Sequence, residues 1–124
     1  MTKRKKLIKE LDGIFSIYIR KRDADDNGNV LCCTCNKVEH WKKMDCGHFQ
    51  SRKHKSTRWD EINAHVQCKG CNIFKNGEQY KHAIFINKRY GKGTAELLQK
   101  AANEVRKWDI IELEEMIEYY KNKI

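Results

Sequence analysis

The sequence contains no proline, no internal repeat and no low-complexity segment, which excludes a proline-rich linker and a solenoid repeat protein. It also contains no apolar run long enough for a signal peptide or a membrane span, so we expect no membrane partner. The first ten residues, MTKRKKLIKE, are charged from the third position onward. We therefore expect a cytoplasmic protein with reduced thiols. A chain of 124 residues is predicted to form one domain with a modest core.

Acidic residues are in the minority, with 17 Asp and Glu against 26 Lys and Arg, which gives a formal net charge of +9. The excess is concentrated in residues 1–92, which carry 21 basic and 10 acidic side chains, whereas residues 93–124 carry 5 and 7. A field of this sign attracts a polyanion, and we expect DNA or RNA as the partner. The alternative is a lysine-rich surface that serves only solubility.

The spacing of apolar residues predicts helices at both ends of the chain. Apolar side chains recur at steps of three and four from Leu7 to Ile19, and a cluster of turn residues at 25–28 then breaks the pattern. Helical periodicity returns from Asn72, with Tyr80, Ile84 and Ile86, and is predicted to stop at Gly91. A further helix is predicted from Thr94 to Trp108.

The last predicted helix begins with Asp109 as its cap and Glu112 three residues later, the spacing of a capping box. Its apolar residues Leu113, Met116, Ile117 and Tyr120 fall on one side. In the middle of the chain, Val30 and Leu31 indicate a short strand, and residues 44–49 alternate as strand faces do. The predicted fold is α+β and mostly helical, with an N-terminal helix in residues 1–28, a metal-stapled centre in 29–90 and C-terminal helices in 91–124.

Two CxxC pairs lie in the centre of the chain, Cys32 with Cys35 and Cys68 with Cys71. Each pair suits a tight turn that presents two thiolates, and two such turns complete a tetrahedral Zn²⁺ site. The alternatives are buried thiols or a redox pair, but a redox motif needs no second copy. Cys33 and Cys46 are predicted not to be ligands. A closed four-cysteine zinc has no open coordination position, so any catalytic group must lie elsewhere.

Three polar residues in chain order suggest where that chemistry lies. His48 stands in DCGHF between the two CxxC pairs, Asn63 stands in EINAHVQC, and Asn72 follows Cys71 directly. We place Asn72 at the N-terminus of a helix, where its amide oxygen can face a cation. A histidine followed by two asparagines, the last beside a zinc cysteine, is typical of a ββα-metal nuclease site. A lone histidine is more often structural, but in this order His48 is predicted to be a catalytic base.

The stretch CCTCNKVEHWKKMDCGHFQSRKHKSTRWDEINAHVQCKGCNIFKNGEQY, preceded by LDGIFSIYIRKRDAD, resembles the NinG or Rap family of phage recombination endonucleases. The resemblance covers residues 11–120, and the family is similar in turn to HNH nucleases. It implies that residues 29–90 form a zinc-bound ββα-metal core of the HNH or treble-clef type. It also implies an endonuclease that depends on Mg²⁺ or Mn²⁺ and cuts branched DNA, such as Holliday junctions and D-loops, in the cytoplasm of the phage's host.

One position departs from many HNH sites, which place an ion-binding aspartate or histidine directly before the catalytic histidine. Here that position is Gly47. We assign Asp45 together with Asn72 to the divalent ion, and Asp60, Glu61 and His65 are the other candidate ligands.

The remaining predicted roles concern substrate binding and assembly. Asn63 is expected to orient His48 or to pin its loop, and the predicted phosphate-binding cations are Arg52, Lys53, Lys55, Arg58 and Lys75. Trp41 and Trp59 either stack on unpaired bases or pack in the core. The apolar faces after residue 93 either form a homodimer interface or close the chain's own core. The alternative functions are an HNH endonuclease that nicks ordinary duplex DNA and a zinc-stapled DNA-binding adaptor without catalysis.

Overall fold

A computed structural model describes residues 1–124 as a mixed fold, about half helical, with two small antiparallel sheets. The elements in chain order are α1 (Lys3–Lys21), β1 (Asn29–Leu31), β2 (Val38–His40), β3 (Asp45–His48), β4 (Ala64–Gln67), α2 (Gln79–Tyr90), α3 (Thr94–Ala102) and α4 (Ile110–Lys121). A 3₁₀ turn at Trp41–Lys43 and a π-helical turn at Gly70–Phe74 complete the set. None of the helices has the length and apolar character that crossing a membrane requires.

The first and last helices pack together and form the largest part of the core. Thr2 caps α1 by accepting a hydrogen bond from the backbone N–H of Lys5. The buried side of α1 carries Leu11, Phe15 and Ile19, and it meets the buried residues of α4 in one cluster. The capping box of Asp109 and Glu112 is present, as predicted. The apolar face of α4 therefore closes the core of its own chain.

Two hairpins occupy the centre. β1 pairs with β2, and β3 pairs with β4, both antiparallel. In the second hairpin, Gly47 is opposite His65 and His48 is opposite Ala64. All four residues of β4 are buried. Because α1 packs across this hairpin, β3 presents His48 toward α1.

The predicted helix from Thr94 to Trp108 was wrong in length, because α3 ends at Ala102. Asn103 ends it, with its side-chain amide donating to the carbonyl of Gln99. Beyond that point Val105 is 99% exposed, so a longer helix would bury nothing. Trp108 instead contacts the loop between β3 and β4, where its indole N–H donates to the carbonyl of Lys55 over 2.9 Å.

The helix predicted to begin at Asn72 was also wrong, because Asn72 lies in the π-helical turn and α2 begins only at Gln79. Positive φ angles at 76–78 separate the two elements. The end of α2 at Tyr90, before Gly91, is as predicted. Its buried residues are His82 and Ile86, while Tyr80 and Ile84 are exposed. Sequence periodicity missed this face because a histidine forms part of it.

Candidate functional site

The four cysteines of the two CxxC pairs come together, with their Sγ atoms all within 4.8 Å of one another. Cys32 follows β1, Cys68 follows β4, and the π-helical turn carries Cys71. A tetrahedral zinc with Zn–S bonds of about 2.3 Å separates its sulfurs by about 3.8 Å, and the Sγ atoms of Cys35 and Cys68 are 3.7 Å apart. The donor set and its spacing therefore fit a structural zinc ion.

The other two cysteines lie outside this cluster, as predicted. Burial raises the pKa of the Cys46 thiol to about 12, and burial also raises the pKa of Cys33. Both thiols therefore remain protonated at neutral pH, which disfavours metal binding.

A polar cleft of about 590 Å³ lies beside the cysteine cluster, between α1, β3 and the π-helical turn. Its lining residues are Asp12, Ser16, Arg20, Lys42, Met44, Asp45, Cys46, His48, Ser51, Arg52, Lys69 and Asn72. It brings together four residues singled out from the sequence, namely Asp45, His48, Arg52 and Asn72.

His48 lies at the end of β3, and its ring centroid is 6.2 Å from that of Phe15 on α1. Its Nε2 is 3.0 Å from the carbonyl oxygen of Arg58. A carbonyl can only accept, so Nε2 carries the proton and donates it, which leaves the lone pair on Nδ1. Burial lowers the pKa of His48 below its usual 6.5. The side chain is therefore a neutral, oriented imidazole at neutral pH.

Asp45 and Asn72 meet at the cleft, although they belong to different elements. The Nδ2 of Asn72 donates to Oδ2 of Asp45 over 3.0 Å, and the Nζ of Lys69 is 2.7 Å from Oδ1. The amide oxygen of Asn72 makes no hydrogen bond within the protein. A carboxylate and an amide oxygen at one cleft are ligands that Mg²⁺ or Mn²⁺ accepts, with waters completing the shell.

Gly47 does not offer a position for an ion ligand. A Cβ at Gly47 would lie 1.9 Å from Oε1 of Gln67, so any side chain there would displace the buried Gln67. Gln67 in turn donates through Nε2 to Oγ1 of Thr34 and to the carbonyl of Gly77. The glycine thus makes room for an amide that ties the loops around the two CxxC pairs together.

Asn63 is fully buried, and its side chain makes no hydrogen bond with His48. Its Nδ2 donates to the carbonyls of Gln50 and Thr57, and its Oδ1 accepts from the N–H of Gln50. Of the two roles expected from the sequence, this geometry corresponds to pinning the loop that follows His48.

The predicted phosphate-binding cations differ in where they lie. Arg52 lines the cleft and is exposed. Arg58 is engaged by the carboxylate of Asp12, which also accepts from the indole N–H of the buried Trp59. The side chains of Lys53, Lys55 and Lys75 are exposed and lie outside the cleft lining.

The other candidate ion ligands do not reach the cleft. Glu61 accepts hydrogen bonds from the hydroxyls of Tyr18 and Tyr120, so it ties α1 to α4. His65 is buried, with Nδ1 3.0 Å from Nε2 of His82. Asp60 accepts from the backbone N–H of Ile62. All three have structural contacts instead.

Sequence reasoning missed the contribution of α1 to the cleft. Asp12, Ser16 and Arg20 follow one another at four-residue steps, which places them on one side of a helix. The sequence shows this polar stripe beside the apolar stripe of the same helix, and it was the available signal that α1 contributes to a polar site. Lys42 and Lys69 were also missed, because neither lysine belongs to a recognisable spacing pattern.

Comparisons with known proteins agree on one family. A family model described as "Bacteriophage Lambda NinG protein" matches residues 1–124. The protein ninG of Escherichia phage lambda is 26% identical over 118 residues, which cover 94% of this chain and 55% of that protein. The protein ninG of Enterobacteria phage H19B is 28% identical over 106 residues, covering 85% and 50%. The chain thus spans about half the length of the curated relatives it matches. No solved structure matches it.

Proposed function

The chain belongs to the NinG family of phage proteins, and from that premise we propose that it is a metal-dependent endonuclease that cuts branched DNA. The observation that carries the proposal is the common cleft of His48, Asp45 and Asn72 beside the four-cysteine cluster. The resemblance of the sequence to phage recombination endonucleases supplies the substrate class, Holliday junctions and D-loops.

His48 is the general base of this proposal. Its Nε2–H is committed to the carbonyl of Arg58, so Nδ1 is the atom that takes a proton from the attacking water. The lowered pKa keeps Nδ1 unprotonated at neutral pH. The fixed ring also supplies orientation, because β3 and Phe15 restrict its rotation.

Asp45 and Asn72 are the residues that would hold the divalent ion, Mg²⁺ or Mn²⁺. A bound ion stabilises the negative charge that develops on the phosphate during hydrolysis. Asp45 supplies the charged oxygen, and its hydrogen bond from Asn72 fixes the orientation of the carboxylate. Lys69, which is 59% exposed at its side chain, can move from Asp45 to a phosphate without disturbing the core.

Arg52 is the cation placed to bind substrate next to the base. It lines the cleft, its side chain is 61% exposed, and its contact with Asp12, at 3.7 Å, is longer than the 2.5 Å contact of Arg58 with the same carboxylate. Arg58 has a different role. Asp12 accepts hydrogen bonds from the Arg58 guanidinium, and the backbone carbonyl of Arg58 orients His48. We retain Lys53, Lys55 and Lys75 as more distant contributors to the positive field that attracts DNA.

The test is a cleavage assay with the zinc-loaded protein on a four-way junction, the matching duplex and a single strand, each with and without Mg²⁺. We expect Mg²⁺-dependent cutting of the junction, which His48→Ala abolishes without loss of binding or zinc. His54→Ala is the matched control, because His54 lies outside the cleft lining and bonds to the carbonyl of Ala102.

Three outcomes would contradict the proposal. Equal cutting of duplex and junction would indicate a general HNH nicking enzyme. Tight DNA binding without cutting would indicate an adaptor. Cleavage by His48→Ala at the wild-type rate under single-turnover conditions would assign His48 a structural role.

A further inference from the structure

A cluster of cations surrounds Trp41, the first residue of the 3₁₀ turn between β2 and β3. The guanidinium of Arg20 lies 5.2 Å from the Trp41 ring centroid, the ammonium of Lys21 lies 5.5 Å away, and that of Lys42 lies 5.8 Å away. Such distances are those of cation–π contacts. We call these four residues the Trp41 patch.

The positive charge of the Trp41 patch is not neutralised within the protein. No carboxylate forms an ion pair with Arg20, Lys21 or Lys42. The cations elsewhere at the cleft differ, because Arg52 is paired with Asp12 and Lys69 with Asp45. Three unpaired cations are therefore available to attract an incoming anion at the Trp41 side of the cleft.

The Trp41 patch is continuous with the cleft that holds His48. Arg20 and Lys42 line that cleft, and Trp41 precedes Asp45 by only four residues. Arg20 is held in place by hydrogen bonds from Nε to the carbonyl and hydroxyl of Ser16, and from Nη1 to the carbonyl of Trp41. A pre-positioned guanidinium loses little conformational entropy when it binds a phosphate.

We propose that the Trp41 patch binds the phosphodiester backbone of the DNA strand that leads into the cleft. The ring holds the three cations at the cleft edge, so they contact phosphates flanking the one that is cut. A stacked base is the poorer occupant, because the cations already lie over the ring. The inference rests on the proposed nuclease function and adds to it the path that the DNA strand takes toward the cleft.

The first experiment measures binding of a fluorescent four-way junction across a range of salt concentrations. No divalent ion is added, so that binding is measured without cleavage. No chelator is added either, because it would also remove structural zinc. Lys21→Ala and Lys42→Ala are each expected to weaken binding several-fold and to lower the salt slope by about one, since each loses one phosphate contact. Lys3→Ala on the same helix is the matched control, because Lys3 is paired with Glu114.

The second experiment locates the contact on the DNA. One phosphate beside the cut site is replaced by an uncharged methylphosphonate, and each neighbouring position is tested in turn. At one of these positions the neutral linkage should weaken binding by the wild type but leave binding by Lys42→Ala unchanged. Trp41→Leu should weaken binding with zinc retained, and Trp41→Phe should weaken it less, because an aromatic face remains.

Wild-type affinity and salt slope in both lysine variants would overturn the inference. The inference would also be overturned if, at every position, the methylphosphonate weakened binding equally in the wild type and in Lys42→Ala. In either case, junction cleavage that still depends on His48 leaves the proposed function intact. A wild-type protein that binds no DNA would overturn both.

Discussion

Asn72 and Asp45 are joined by a hydrogen bond of 3.0 Å, although one lies on the turn that carries the last cysteine of the cluster and the other opens β3. The cysteine cluster therefore does more than stabilise the centre of the chain. It fixes the position of Asn72 relative to the strand that carries His48. The four-cysteine cluster and the candidate catalytic groups are thus parts of one unit.

We predict that Asn72→Ala and Asp45→Asn each raise the Mg²⁺ concentration for half-maximal junction cleavage by at least about tenfold, because each removes or misorients an ion ligand. Higher Mg²⁺ should restore part of the rate. Single-turnover cleavage across a Mg²⁺ titration measures this effect. Asp23→Asn is the control, because Asp23 pairs with Arg89 outside the cleft. A loss of rate that no Mg²⁺ concentration relieves would rule out an ion-binding role.

Much of this unit could be predicted because its signals are local. The CxxC spacing predicted that four cysteines meet, and they do. The capping box predicted the start of α4, because a cap depends on residues only three apart. Asp45 was assigned to the ion as the carboxylate two residues before Gly47 on the same strand, and Asn72 because it follows Cys71 directly. The structure places these two side chains, 27 positions apart, within hydrogen-bond distance.

The rest could not be predicted because it depends on tertiary contacts. The polar stripe of α1 becomes part of a cleft only because β3 packs beside it. Arg58 looked like a free cation, since nothing near it in sequence reveals that Asp12 lies against it. Likewise, α3 is shorter than its periodicity suggested, because the carbonyl of Lys55 engages Trp108.

For the cysteine cluster, we predict one zinc per chain, measured by elemental analysis of the purified protein. Cys68→Ser should lose the zinc and unfold the centre of the chain, because metal binding and folding are coupled in such sites. Cys46→Ser should retain both, since Cys46 packs outside the cluster. Full retention of the fold by Cys68→Ser, judged by circular dichroism, would contradict the assignment.

Asn63→Ala should destabilise the protein by roughly 2 kcal/mol or more, because it leaves the carbonyls of Gln50 and Thr57 without their buried donor. Denaturant unfolding measures the change. The comparison is Asn103→Ala, which removes one exposed hydrogen bond from the side-chain amide and should lower the free energy of unfolding by less than about 0.5 kcal/mol. A loss of cleavage in Asn63→Ala at unchanged stability would instead favour a direct catalytic role.

The pH dependence of cleavage should follow the neutral form of His48. Its pKa is lowered by burial, so the protonated, inactive form accumulates only below the usual value of 6.5. Protonation of His48 should therefore not limit the single-turnover rate at neutral pH, and the rate should fall only as the solution becomes acidic. Zinc content measured at each pH separates this effect from loss of the metal. A rate that rises steeply between pH 7 and 8 would contradict the assignment of His48 as the base.

The buried pair of His65 and His82 should make folding sensitive to acid. Burial lowers the pKa of His82 from 6.5 to about 4, and burial together with the neighbouring His82 lowers that of His65. Below about pH 6.5 the unfolded chain takes up protons that the folded protein cannot, so the free energy of unfolding falls as the pH falls toward about 4.

The contribution of His82 to that loss should be on the order of 3 kcal/mol, since one pKa unit corresponds to about 1.4 kcal/mol. Thermal unfolding of the wild type and His82→Gln between pH 8 and pH 4 measures it. The variant should be less stable at pH 8 and lose less stability on acidification. The control is His40→Gln at the end of β2, outside the buried pair, and its slope against pH should match that of the wild type. Zinc content measured at each pH in all three proteins separates loss of metal from protonation of the histidine. Parallel slopes for His82→Gln and the wild type would show that the buried pair does not carry the acid sensitivity.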